Sequence, residues 1–229
     1  MVKETVVVSS DDQVVGAIDK NSKSIIRIYR TNDNPIDSSA MTLVGLGIVV
    51  TDDGIIAADN SLISTGGNYF TTSADGKLHN LSVVQSVSGE EVALLKIKAD
   101  DKNPLVLPKV TISSNDLKLG QSVVYIGGET KNVVGTGIVS SFGTKDIKSN
   151  DTASSTATST PTVQTIITSI QTTIPAGNFV PGGLLLNLSG ELVGIKSTFI
   201  DSPRTDLFAP ANDISSTLAN LTASQSKAQ

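Results

Sequence analysis

Three observations predict an all-β chain. Short runs rich in Val, Ile and Leu recur about every 8–12 residues. Glycine-containing turns of hairpin type separate them, and helical periodicity is confined to two segments near the ends of the chain. This spacing favours sandwiches or barrels over units in which strands alternate with helices.

In chain order, the first element is a helix over Ser10–Asp19, where Ser and Asp can cap free amides ahead of a Val14, Val15, Ile18 stripe. Strands are expected at Ser24–Arg30, Val44–Thr51 and Ile55–Ala58, the last two joined by the turn Asp52-Asp53-Gly54. Asn80–Val87 and Val92–Ile97 follow, with Ala74-Asp75-Gly76 as a further turn. Pro104 and Pro108 then separate two strand clusters of similar size. The chain therefore divides near residue 106, into 1–106 with the first helix and 107–229 with the last. The second cluster reads Ser122–Ile126, Gly135–Ser141, Val163–Ile170, Leu184–Leu188 and Glu191–Thr198, with Ser189-Gly190 turning between the last two. Ile214, Leu218 and Leu221 fall at helical spacing over Asn212–Leu221. Lys148–Thr162 is nearly all Ser, Thr, Ala and Asn, lacks apolar residues to bury and reads as an exposed loop; Ala223–Gln229 reads the same way.

Composition excludes several chemistries. The 229 residues include no Cys and one His, so no thiolate nucleophile, Cys-bearing metal centre or multi-His site can form, and neither a metal nor a cofactor is expected. Net charge is −5 and only 3% of residues are aromatic, with Lys and Arg scattered, which argues against nucleic-acid binding. A Ser-His-Asp hydrolase would have to use His79 as its base.

Three stretches carry a resemblance. The first is Gly45-Leu46-Gly47-Ile48-Val49-Val50, the Asp53-Gly54 turn and Ile55-Ile56-Ala57-Ala58-Asp59-Asn60-Ser61. The second is Asp75-Gly76-Lys77, Val83-Val84 and Glu91-Val92-Ala93-Leu94-Leu95-Lys96-Ile97. The third runs from Ile170-Gln171-Thr172 through Gly182-Gly183-Leu184-Leu185-Leu186-Asn187 to Glu191-Leu192-Val193-Gly194-Ile195. Their order and spacing resemble the HtrA-type trypsin-like serine protease domain over roughly residues 11–221, with Leu117–Gly127, Val133–Ser141 and Leu207-Phe208-Ala209-Pro210 as lesser matches. The resemblance implies two six-stranded antiparallel β-barrels of the trypsin/chymotrypsin type, with short N- and C-terminal helices.

The departures fall on the chemistry. Ser61 stands where the family has its histidine, Glu91 where it has aspartate, and Pro181 where it has the nucleophilic serine. A hydroxyl cannot serve as base near neutral pH, Glu91 has no imidazole to orient, and Pro181 offers neither a hydroxyl nor an N–H. The family's other oxyanion donor is a glycine amide, and that position is Phe179. His79 would sit on a hairpin of the first barrel away from the cleft, as an exposed strand histidine. Ser and Lys are plentiful, but no motif places a Ser-Lys dyad in the cleft.

These substitutions suggest a pseudoprotease that binds protein or peptide, with Phe179, Val180, Gly182 and Gly183 as peptide-cleft candidates. A divergent active serine endopeptidase and a structural subunit assembling with itself or an active paralogue are the alternatives. The resemblance further implies an extracytoplasmic location, periplasmic or at the cell surface. It also implies a membrane anchor upstream of Met1, and a homo-oligomer, a trimer in this family, or a partner protease.

Overall fold

A computed structural model describes residues 9–31, 41–63, 67–98, 104–148, 163–198 and 206–226. Helix α1, Ser10–Asn21, starts where the Ser9 hydroxyl accepts the Asp12 amide, with Asp11 and Asp12 favourably placed at the positive end of the helix dipole. Six strands then close a barrel: β1 (Ile25–Thr31), β2 (Thr42–Val49), β3 (Ile55–Asp59), β4 (Asn68–Thr72), β5 (Leu78–Gln85) and β6 (Val92–Ile97), in the order β1-β2-β3-β6-β5-β4. Every pairing is antiparallel, and β1 closes onto β4.

The second barrel comprises β8 (Ser122–Gly127), β9 (Val133–Lys148), β10 (Val163–Thr172), β11 (Leu184–Asn187), β12 (Glu191–Lys196) and β13 (Leu207–Pro210). Its order is β11-β8-β9-β10-β13-β12, closed by β11 against β12. Strand β7, Thr111–Ile112, adds to β12 in parallel. Helix α2, Ala211–Ser226, ends the described chain. The architecture is therefore the expected pair of six-stranded antiparallel barrels with two short helices. No described helix is long and apolar enough to cross a membrane.

The three expected turns form, with Gly54, Gly76 and Gly190 at φ of +81°, +80° and +72°, a region costly to residues with a Cβ. Three strands were not expected as strands. Asn68–Thr72 has its two aromatic residues diluted by Asn and Thr, Thr111–Ile112 is too short to show alternation, and Leu207–Pro210 ends in a proline. Strand β9 runs seven residues beyond the expected Ser141, because β10 supplies partners as far as Lys148↔Val163. Part of the tail also differs from expectation: residues 223–226 continue α2. The Ser/Thr-rich segment lies outside the described residues from 149 to 162.

The largest core cluster spans both barrels, joining Leu46, Ile48 and Leu94 to Val124, Leu184 and Ile195. Ala17 of α1 and Ile214 of α2 belong to the same cluster. Helix packing runs across the division expected near residue 106. The Asn21 side chain of α1 donates to Gly190 O at 2.9 Å, in the β11–β12 turn, and α2 packs on β5 and β6 as well as on β12 and β13. An apolar interface crossed by helices in both directions fixes how the two barrels face each other.

Candidate functional site

Strand β3 ends at Asp59, which is fully buried and begins the 3₁₀ turn Asn60–Leu62. One Asp59 carboxylate oxygen accepts the Ser61 amide at 3.0 Å, and the other accepts the Thr198 amide, just beyond β12, at 2.7 Å. Ser61 itself is exposed. Next to it, the Asn60 amide donates to Glu91 O at 3.0 Å, and the Asn60 side chain donates to Val87 O and Glu90 O at 2.7 and 2.8 Å. The turn bearing Ser61 is thus tied to the entry of β6, where Glu91 lies.

Glu91 Oε2 accepts the Ser197 hydroxyl at 2.8 Å, and Ser197 has no exposed surface. Lys196, 4% exposed, donates from Nζ to the Ser197 carbonyl. Burial pushes the Lys196 pKa down, while the charges of Asp59 and Asp206 act in the opposite direction. Lys196 and Ser197 are neighbours, yet they do not form a Ser-Lys dyad. The serine proton is directed at Glu91, and the hydroxyl is sealed from any substrate.

Pro181 arrives from the other barrel. Its carbonyl accepts the Leu46 amide at 2.8 Å, joining the loop to β2. Gly45 lies between Ser61's turn and this loop: a Cβ there would meet both the Leu62 side chain and the Pro181 carbonyl. The fold therefore brings Ser61, Glu91 and Pro181 to one place.

The amides of the loop can be followed one by one. Phe179 N donates to Ala176 O at 3.0 Å, and Val180 N to the Tyr125 hydroxyl at 2.8 Å. Pro181 has no N–H; Gly182 N donates to Lys196 O at 2.8 Å and Gly183 N to Val180 O at 3.0 Å. Every amide between 179 and 183 is bonded within the protein. An oxyanion hole requires the reverse, donors held open for a charge that develops during reaction.

Side chains reinforce this conformation. The Phe179 ring packs on Tyr125 and Phe208, with centroids 4.6 and 5.1 Å away, and fills space beneath the loop. Burial raises the Tyr125 pKa to about 12, so its hydroxyl remains neutral while it accepts from Val180. Gly182 has φ +86°, and a Cβ there would collide with the Leu46 carbonyl oxygen.

His79 differs from expectation. It is 4% exposed, because inward and outward positions alternate along β5 and position 79 faces in. Its Nε2 lies 3.1 Å from the Ser73 hydroxyl, and it pairs with Thr71 across β4. Ser86, which donates to Asn60 at the site, is seven residues further along, about 20 Å of extended chain. Among the described residues no group of His, Asp or Glu side chains could hold a metal ion.

Asp59, Asn60, Lys196, Ser197 and Tyr125 escaped the sequence reading. Only Asp59 and Lys196 gave a signal there, each a charge ending an apolar strand run.

The family described as the trypsin-like peptidase domain matches residues 45–195. A probable periplasmic serine endoprotease, DegP-like, of Pseudomonas fluorescens is 33% identical over 67% of this chain and 29% of its own length. The serine protease HTRA1 of Xenopus tropicalis is 31% identical over 67% of this chain and 31% of its own, and HTRA1B of Danio rerio 26% identical over 80% and 36%. The chain spans about a third of the length of the curated relatives it matches.

Proposed function

We propose that this chain, which belongs to the trypsin-like peptidase domain family, is a catalytically inactive pseudoprotease that serves as a protein-binding or scaffold domain. The observation that carries the reading is the closed set of amides from Phe179 to Gly183. Missing side chains alone could be replaced from elsewhere, but a loop with no free donor cannot stabilise an oxyanion without refolding. Ser61 and Pro181 contribute no base and no nucleophile, and Ser197 is sealed.

Scaffolding is favoured over peptide capture in the old cleft by the residues just past β12. Strand addition needs free main-chain groups. There the Ser197 carbonyl is taken by Lys196 and the Thr198 amide by Asp59. The periplasmic description of the DegP-like relative supports an extracytoplasmic location.

The test is incubation with a fluorophosphonate probe and, separately, with casein. The expected result is no covalent adduct and no turnover; labelling of any serine, or cleavage, overturns the reading. Light scattering addresses assembly, with a stable oligomer expected of a scaffold that acts through copies of itself.

A further inference from the structure

We propose that the groove between α2, β10 and the entry of β6 docks a basic protein segment, whose cationic side chain is held by Glu90 and Asp213. The groove encloses about 660 Å³, room for two or three side chains of an extended segment. None of residues 179–183 lines it, so it stands whether or not that loop cuts peptide bonds.

Its lining is divided. Ile166, Ile167 and Leu207 supply an apolar surface, along which the aliphatic stem of an Arg or Lys can lie. Facing it are three carboxylates, Glu90, Glu91 and Asp213. Glu91 already receives the Ser197 hydroxyl. Glu90 Oε2 is shut off from solvent and has no hydrogen-bond partner. A buried acceptor left in that state is costly, and a turn of the half-buried Glu90 side chain into the groove to meet an incoming donor relieves the cost.

The surroundings do not supply that donor. The α2 hydroxyls lining the groove turn back on their own helix, Ser216 to Asn212 O and Thr217 to Asp213 O. Lys145 of β9 is the one cation among the described lining residues, and it leaves an excess of negative charge. Burial, then the charges of Glu91 and Glu90, raise the Asp213 pKa to about 6. A guanidinium or ammonium bridging Glu90 and Asp213 answers both the orphaned oxygen and the crowding of like charges, with charge-assisted hydrogen bonds.

The test uses the full chain and a fluorescein-labelled peptide of alternating Arg and Leu, followed by anisotropy. Asp213→Asn and Glu90→Gln, which remove charge without volume, should each weaken binding about tenfold at about pH 7.5. Binding to the unmodified chain should also weaken about tenfold between about pH 7.5 and about pH 5, as Asp213 takes up its proton. Asp52→Asn, on an exposed turn, should leave affinity unchanged. The proposal is overturned by absence of binding, by equal losses in the Asp52 variant, or by displacement with free arginine at the peptide's own affinity. Melting curves of each variant confirm the fold, and a cleavage result against the proposed inactivity would not alter these outcomes.

Discussion

Asp213→Asn should make the protein more stable at neutral pH, although it removes a charge from the first turn of a helix, where acids usually help. The Asp213 carboxyl has its pKa raised from 3.8 to about 6, by burial first and then by the charges of Glu91 and Glu90. An acid whose pKa rises on folding binds its proton more tightly in the folded state. Folding is favoured below the unfolded value, and that advantage is lost as pH climbs through the folded one. The ionised side chain is therefore a burden at about pH 7.5, by about 3 kcal/mol for the full shift and about 1–2 kcal/mol once partial solvent screening is allowed for. Asparagine keeps the shape of the neutral acid. For a chain of this size the gain corresponds to roughly 3–6 °C in Tm. Differential scanning calorimetry at about pH 7.5 and about pH 4.5 tests it, since most of the gain should be gone at the lower pH, where folded Asp213 is already protonated. A gain of equal size at both values, or a lower Tm for the variant at about pH 7.5, would refute the reasoning.

Three further outcomes follow from the loop. Restoring the triad with Ser61→His, Glu91→Asp and Pro181→Ser should leave casein hydrolysis at background, because the Phe179 amide still donates to Ala176 and one missing oxyanion donor costs about 100- to 1000-fold; measurable turnover would show the loop opens readily. Gly182→Ala should cost about 3 kcal/mol or more in urea unfolding, from φ +86° together with the collision against the Leu46 carbonyl, and a loss below about 1 kcal/mol would mean the turn can flip. Tyr125→Phe should cost about 1–3 kcal/mol by orphaning the buried Val180 amide; an unchanged midpoint would indicate that the amide finds another acceptor.

What the sequence revealed and what it concealed divide along physical lines. Alternation, Asp-Gly turns and helix caps are local: Gly54 and Gly76 act as their sequence contexts predict, and the cap of the first helix is Ser9, just before the expected start. Strand β4 was hidden because Asn68 and the threonines after Phe70 dilute its apolar signal, and its pairing depends on β1 and β5 from elsewhere in the chain. His79 was expected to be exposed because the resemblance put it on a hairpin away from the cleft, but the inward face of β5 was decided by register with β4. The resemblance grouped Ser61, Glu91 and Pro181, and the fold places them on neighbouring turns. The bonds around them were not legible: Asp59 to Thr198 and Ser197 to Glu91 each join residues more than one hundred positions apart. No local pattern could announce that a lysine ending β12 would lie beside an aspartate ending β3.

The substitutions at 179 and 181 are better understood as one change than as two. A working loop of this kind must hold two amides open at rest, and an unpaired buried amide costs about 1–3 kcal/mol. On the proposed reading Pro181 stands at the nucleophile position, so one of the two donors is gone and holding the other open gains nothing. Phe179 then lets the remaining amide close on Ala176, while its ring enters the Tyr125–Phe208 cluster. The same reasoning applies across the barrel interface. Glu91 accepts from Ser197, and Asp59 holds the Thr198 amide. On the proposed reading these groups are already satisfied by one another, so a partner gains little by docking there. The orphaned oxygen of Glu90 and the crowded carboxyl of Asp213 are where unsatisfied polarity remains on this side of the molecule, and binding energy is to be sought in the groove they share.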